Sequence, residues 1–97
     1  MGGGGVNSYD RSQFRDVTHP GQRAAGHREF VHRITGLRVR YDPARGNHTA
    51  HWHVFNPQMT GNHDMYLNRF GQPSPRHHPG SALTERELEI VIQLFWR

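Results

Sequence analysis

The sequence lacks cysteine, lysine and any long hydrophobic run. Without cysteine, the chain has no disulfide bonds, no thiolate zinc site and no cysteine nucleophile. Without lysine, every mechanism that depends on a lysine amine is excluded, and all twelve basic side chains are arginines. No stretch approaches the roughly 18 consecutive apolar residues of a membrane-spanning helix, so we expect no membrane insertion.

The chain is also poor in apolar residues, which make up 33% of its 97 residues. A chain of this length normally forms one domain with a thin core. Four consecutive glycines in the opening segment "MGGGGVNSYD" are typical of a flexible leader. We therefore expect a glycine-rich leader at residues 1–10 and a single domain at residues 11–97.

Arginine and histidine are abundant by contrast. The formal net charge is +4 with the nine histidines counted as neutral. The planar guanidinium group of arginine matches the geometry of phosphate oxygens. A basic, arginine-rich chain therefore suits a polyanionic partner such as a nucleic acid.

A β-hairpin is predicted at residues 28–42, "REFVHRITGLRVRYD". Apolar and polar side chains alternate on both sides of Thr35-Gly36, as in two strands joined by a turn. A helix over residues 28–34 is the alternative. In the second strand of the hairpin, the same alternation sends Arg38 and Arg40 to the polar face.

Further short strands are predicted after the hairpin. One strand covers residues 49–55, and a short strand, a turn and a return strand lie within residues 64–73, "DMYLNRFGQP". Residues 11–27 are interpreted as a loop with one helical turn near residues 12–17.

The end of the chain has a helical pattern. Thr84 and Glu87 have the spacing of a capping box. An apolar stripe at helical spacing follows this box and would pack on a sheet: Leu88, Val91, Ile92 and Phe95. Strands followed by a helix, without regular βαβ alternation, predict an α+β fold in which a small antiparallel sheet packs against a C-terminal helix.

The strand at residues 49–55 contains a His-Trp-His sequence. Alternation assigns Trp52 and Val54 to the core and places His51 and His53 together on the opposite face, roughly 6.5 Å apart along the strand. If this strand neighbours the hairpin, the two imidazoles share a face with Arg38 and Arg40. That combination suits a phosphodiester, because imidazoles transfer protons and guanidinium groups stabilise the charged phosphate.

Other interpretations of the histidine pair stay open. The pair could be an ordinary solvated face, or it could bind a metal ion with a third ligand from His27, His48, His63 or Asp64. An HNH-type nuclease is another alternative, because His51, Asn56 and His63 follow one another in the order that the HNH motif requires. That motif needs a helix after the asparagine, however, and this sequence predicts a strand and a turn there.

Two further residues are candidates for the same site. His27 follows Gly26 in a loop and could reach the polar face. Tyr66 alternates with Met65 and Leu67 and so could lie on that face. His32 shares a face with Phe30 and Ile34, so we interpret it as a core histidine.

The stretches "TGLRVRYDPARGNHTAHWHVFNP" and "TGNHDMYLNRFGQPSP" resemble the C-terminal toxin domains of bacterial polymorphic toxins. The resemblance covers about residues 35–75. It implies a toxin module carried by a larger secreted polypeptide, such as an Rhs-type or type VI secretion effector. The resemblance also implies a metal-independent ribonuclease, because many such modules look like ribonucleases and are similar in architecture to barnase, colicin-type tRNases and the RelE toxins. By the same resemblance, His51 and His53 match the histidines of the family's strand.

We therefore expect an antibacterial nuclease toxin, in the first instance a metal-independent ribonuclease that uses histidine acid–base chemistry. The expected catalytic residues are His51, His53, His27 and Tyr66. The expected substrate-binding residues are Arg38, Arg40 and Asn56. No metal ligand and no cofactor are assigned. The alternatives are a metal-dependent, HNH-like DNase and a non-catalytic module that binds nucleic acid or a partner protein.

The expected partners follow from the toxin hypothesis. They are an RNA or DNA substrate, a cognate immunity protein of acidic character, and the larger secreted carrier polypeptide. The toxin would be delivered by a bacterial secretion system and would act in the cytoplasm of the target cell.

Overall fold

An antiparallel sheet of six strands forms the frame of the domain in the computed structural model, which describes residues 11–96. The strands follow chain order across the sheet, so each pairs with its neighbours in sequence. Their bounds are Phe14–Asp16 (β1), Arg28–His32 (β2), Arg38–Asp42 (β3), His51–Phe55 (β4), Tyr66–Leu67 (β5) and Pro73–Ser74 (β6). The predicted leader at residues 1–10 lies outside the described residues.

Within residues 11–96, two helices and three short 3-10 turns complete the fold. The helices are Pro20–Ala24 (α1) and Glu85–Leu94 (α2), and the turns are Arg11–Gln13, Asn62–Asp64 and Pro79–Ser81. The predicted α+β fold, with an antiparallel sheet and a C-terminal helix, is confirmed. Among the described residues, no helix has the length and apolar character needed to cross a membrane.

The hairpin of β2 and β3 forms as predicted. Phe30 lies opposite Val39 across the two strands, and Gly36 adopts a φ of 75° in the turn between them. This backbone conformation is one that residues with a Cβ rarely adopt. The alternative of a helix at residues 28–34 is therefore wrong.

The core lies between the sheet and α2. The predicted apolar stripe of α2 is buried at Leu88, Val91 and Ile92, while Phe95 is partly buried and packs against the core. The sheet and the segment before α2 supply the opposing buried side chains: Leu37, Val39, Val54, Leu67 and Leu83. His32 is fully buried beside this core, as predicted, and its Nδ1 accepts a hydrogen bond from the backbone N–H of Thr35.

The capping box of α2 is confirmed and gives a testable contribution to stability. The Thr84 hydroxyl accepts from the N–H of Glu87 at 3.1 Å, and the Glu87 carboxylate accepts from the N–H of Thr84 at 3.0 Å. We expect Thr84→Ala to lower the free energy of unfolding by about 1 kcal/mol, measured by urea denaturation. Thr84→Ser keeps the hydroxyl and is the control. Equal stability of Thr84→Ala and the wild type would contradict the assignment.

The N-terminal part of the domain differs from the prediction. The expected helical turn near residues 12–17 is instead the 3-10 turn followed by β1, because β1 pairs with β2 through contacts such as Phe14 opposite His32. A helix, α1, forms where a loop was predicted. Its first residue is Pro20, whose fixed φ suits that position, and His19 Nδ1 accepts from the N–H of Gly21 as an N-terminal cap.

Candidate active site in a basic cleft

Asp42, His51 and His53 come together on one face of β3 and β4, and we refer to these three residues as the Asp–His–His cluster. The register of the two strands places Asp42 opposite His51 and Arg40 opposite His53. Because side chains alternate along a strand, all four point to the same side of the sheet. The predicted proximity of this histidine pair to Arg40 is therefore present in the structure.

Three electron-pair donor atoms of the cluster converge on one point. Asp42 Oδ2 lies 3.2 Å from His53 Nε2 and 3.4 Å from His51 Nε2. The two Nε2 atoms lie 3.1 Å apart. Each atom of the cluster is thus within hydrogen-bonding distance, or nearly so, of the other two.

The backbone fixes the tautomer of both imidazoles. His53 Nδ1 donates to the carbonyl oxygen of Ser81 at 2.7 Å, and His51 Nδ1 donates to the carbonyl oxygen of Thr49 at 2.8 Å. A carbonyl oxygen only accepts, so the proton of each neutral ring resides on Nδ1 and Nε2 carries a lone pair. Two lone pairs and a carboxylate oxygen then face one another, which is favourable only with a proton or a cation among them.

Ser81 reaches His53 because the chain before α2 runs along β4. Leu83 and Trp52 exchange two backbone hydrogen bonds of 2.8 Å each. β5 pairs only with Val54 and Phe55 of β4, and Leu83 pairs with Trp52 in the first part of the same strand. This pairing places the carbonyl oxygen of Ser81, two residues before Leu83, against the ring of His53.

The second oxygen of Asp42 is fixed by two cationic or polar groups. Asp42 Oδ1 accepts from His27 Nδ1 and from Arg40 Nε, each at 2.8 Å. Burial by itself raises the pKa of Asp42. The hydrogen bond from His53 when its ring carries a second proton on Nε2, the hydrogen bonds from Arg40 and His27, and the charge of Arg40 outweigh burial and hold the pKa well below its usual range. The carboxyl group is therefore ionised in the folded protein near neutral pH.

Tyr66 fixes the plane of the His53 ring. The two rings are stacked, with centroids 4.2 Å apart and an angle of 16° between their planes. Only 4% of Tyr66 is exposed, and burial raises the pKa of its phenol. Tyr66 therefore stays neutral and acts on the site by packing.

The cluster lies on the floor of a cleft of about 850 Å³, which we call the basic cleft. This volume lies within the range of pockets that hold small ligands. Cationic and histidine side chains form much of its wall: Arg40, Arg45, Arg76, His48, His77 and His78. The cleft therefore presents a positive surface around a negatively charged, imidazole-lined floor.

The structure brings together five of the seven residues that the sequence assigned to the site: His27, Arg40, His51, His53 and Tyr66. It places the other two, Arg38 and Asn56, outside the basic cleft. Arg38 donates to Glu29 at 2.6 and 2.9 Å and lies over the ring of Phe55. The amide of Asn56 donates to the carbonyl of Asp64 at 2.9 Å and accepts from the N–H of Gln58 at 3.0 Å, so it holds a loop together.

The HNH arrangement is not formed by the described residues. His63 lies in an exposed 3-10 turn, where the motif requires a helix. Of the third ligands considered for a metal-binding pair, His63 and Asp64 lie outside the basic cleft, and His48 lines its wall. His27 contacts Asp42 rather than the convergent Nε2 atoms.

Asp42 is the central residue that the sequence interpretation missed. The signal was present, because Asp42 follows Arg38 and Arg40 at alternate positions and therefore shares their face. Its role depends on which residue of β4 lies opposite, and the alternation pattern does not specify that register. Arg45 and Arg76 were missed because they lie in connecting segments without periodicity.

Comparison of the chain with models of protein families, with curated proteins and with solved structures finds no match.

Proposed function

We propose that this domain is a nuclease that cleaves the phosphodiester bonds of RNA in the basic cleft. The observation that carries the proposal is the Asp–His–His cluster at the floor of a cleft walled by three arginines. The cluster offers three atoms that accept the proton of a reacting hydroxyl group, and the arginines offer donors for phosphate. These are the two requirements of phosphodiester cleavage.

The arginines would bind the substrate backbone. Arg40 is the nearest of them to the cluster, because its Nε donates directly to Asp42. Arg45 and Arg76 line the same cleft, and both are exposed. Guanidinium groups bind phosphate oxygens in a planar fork and stabilise the negative charge that builds up on the phosphate in the transition state.

His27 and Tyr66 act as positioning residues in this proposal. His27 binds the oxygen of Asp42 that points away from the two imidazoles, and Tyr66 packs flat against His53. His27 Nδ1 thus contacts Asp42 Oδ1 and not the two Nε2 atoms, and the contact of Tyr66 with the cluster is made by its ring. This differs from the expectation that both are catalytic, and it assigns the reacting groups to Asp42, His51 and His53.

The resemblance of residues 35–75 to polymorphic toxin domains supports a biological setting for the nuclease. In this setting it is an antibacterial toxin domain of a larger secreted polypeptide, delivered by a bacterial secretion system to the cytoplasm of a target cell. The producing cell then needs an immunity protein. An acidic surface that covers the basic cleft would block RNA and complement the net charge of +4.

Two wall arginines give a prediction about RNA affinity. We expect Arg45→Ala and Arg76→Ala each to weaken binding of single-stranded RNA. Each should also lower the slope of log Kd against log salt concentration by the amount that corresponds to about one phosphate contact. Fluorescence anisotropy at several salt concentrations measures both quantities. Arg86→Ala, which removes an exposed arginine of α2 outside the cleft, is the matched control. An equal effect of all three substitutions would argue against a binding site in the cleft.

Incubation of the purified protein with total RNA and with plasmid DNA, in a buffer that contains Zn²⁺ and Mn²⁺, tests the proposed activity. We expect fragmentation of the RNA. Cleavage of the plasmid alone would replace the proposal with a DNase. Salt-sensitive binding without cleavage of either substrate would indicate the non-catalytic module instead.

A further inference from the structure

We propose that the Asp–His–His cluster is a binding site for one divalent transition-metal ion of the Zn²⁺ class, and that the nuclease uses this ion. The binding site itself rests on the geometry of the cluster and stands independently of the proposed activity. Only the second part, the use of the ion, rests on the proposed function.

The spacing of the three atoms matches that of ligands around one ion. Zn²⁺ binds imidazole nitrogen at about 2.0–2.1 Å and carboxylate oxygen at about 2.0–2.2 Å, so neighbouring ligands of a tetrahedral site lie about 3.3–3.4 Å apart. The three separations in the cluster are 3.1, 3.2 and 3.4 Å. A single ion can therefore contact all three atoms without displacement of the strands.

Each of the three residues has its remaining polar atom fixed by a second group. The Nδ1 atoms of His51 and His53 donate to backbone carbonyls, and Oδ1 of Asp42 accepts from His27 and Arg40. Metal-binding histidines almost always donate their other N–H in this way, because the bond selects the tautomer and orients the ring. All three atoms that face the convergence point are thus prepared as ligands.

The donor set favours a transition metal over Mg²⁺ or Ca²⁺. Two imidazole nitrogens and one carboxylate oxygen suit zinc and its neighbours in the first transition row, whereas the alkaline-earth ions prefer oxygen ligands alone. Three protein ligands leave a further coordination position for water or substrate, as in catalytic rather than structural sites. When bound, such an ion supplies Lewis-acid activation of an oxygen nucleophile.

The same geometry disfavours a division of labour between the two histidines. In an in-line displacement at phosphorus, the attacking and leaving oxygens lie on opposite sides of the phosphorus atom. A base and an acid that serve these two oxygens have to stand apart, but the two Nε2 atoms are only 3.1 Å from each other. Both nitrogens therefore face the same point, where they can bind one metal ion together.

Titration calorimetry of the EDTA-treated and dialysed full chain with Zn²⁺ tests the site. We expect one high-affinity ion per chain, and no comparable binding of Mg²⁺. His51→Ala and Asp42→Asn should each weaken Zn²⁺ binding by more than about 100-fold, since even groups that only orient a ligand contribute about 10–100-fold. His51 and Asp42 are both partly exposed, so their substitution leaves the buried core intact.

A control is needed because nine histidines can bind Zn²⁺ nonspecifically. The variant His77→Ala removes an exposed histidine from the wall of the same cleft, and it should keep the affinity of the wild type. Thermal melting adds an independent readout: Zn²⁺ should raise the Tm of the wild type and of this control, but not that of Asp42→Asn. Circular dichroism checks that each variant folds.

Three results would overturn the metal site: no Zn²⁺ binding by the wild type, equal affinity in all variants, or loss of binding only in His77→Ala. RNA cleavage that persists in EDTA would overturn the use of the ion while leaving the nuclease in place. Tight binding of Zn²⁺ to the cluster with no cleavage of any nucleic acid would do the opposite, because it supports the metal site and contradicts the proposed function.

Discussion

Asp42→Asn is expected to lower the rate of RNA cleavage by about 10²–10⁴-fold, the range typical of a group that acts directly on the reacting atoms. The substitution preserves the shape of the side chain but removes the negative charge that faces His51 and His53. An uncharged amide then faces the two Nε2 atoms, and it can neither accept a proton nor bind a cation as a carboxylate does. The oxygen of the new amide can still accept from Arg40, so the surrounding strands keep their contacts.

The control for this prediction is Asp16→Asn. Asp16 also forms an ion pair with an arginine, Arg23, at 2.7 Å, but it lies in β1 outside the basic cleft. Single-turnover cleavage of a labelled RNA, measured for both variants with matched circular dichroism spectra, separates the role of Asp42 from a general effect of charge. Wild-type activity in Asp42→Asn would remove the Asp–His–His cluster from the mechanism.

Leu88→Ala is expected to destabilise the domain strongly. Leu88 is fully buried in α2 and packs in the core that α2 forms with the sheet. Truncation of a buried leucine costs about 2–5 kcal/mol, because hydrophobic contact is lost and a cavity remains. For a domain of this size each kcal/mol lowers the Tm by about 4–8 °C, so we expect the Tm to fall by more than about 8 °C.

Ile90→Ala is the matched control on the same helix. Ile90 is 43% exposed, so its truncation leaves no buried cavity. The loss of stability, measured by thermal melting and urea denaturation, should be several-fold larger for Leu88→Ala than for Ile90→Ala. Similar losses for Leu88→Ala and Ile90→Ala would mean that α2 does not pack on the sheet through the face that contains Leu88.

The elements with long periodic patterns were predicted correctly from the sequence, and the short elements β1 and α1 were not. Alternation over β3 and β4 predicted which side chains share a face, and helical spacing predicted α2, because burial on one side imposes a period on long elements. β1 has only three residues and is stabilised by pairing with β2, so local preference gave the wrong structure there. The five-residue helix α1 is equally short and was assigned to a loop.

The candidate site was only partly predictable because its key contacts cross between elements. His51 and His53 could be identified from one strand. The carbonyl of Ser81 that orients His53 lies 28 residues away in the sequence, within a segment that has no periodicity. Arg38 shares the face of Arg40, but pairing with the buried Glu29 turns it toward a different cavity. Such choices depend on tertiary contacts, which a pattern of alternation does not encode.

The segment from Pro75 to Ser81 links the entrance of the cleft to its chemistry. Its outer part carries Arg76 and the exposed histidines of the wall, whereas its last residue is fully buried and holds His53 through the backbone. The Ser81 hydroxyl also lies 2.6 Å from the carbonyl oxygen of Pro75, which closes the segment on itself. An insertion that enlarges the entrance for a bulkier substrate would also shift the carbonyl that orients His53. Under the proposed nuclease function, the wall that contacts the substrate and the imidazole that acts on it are therefore joined by one short backbone segment, so a change in the length of this segment would affect both.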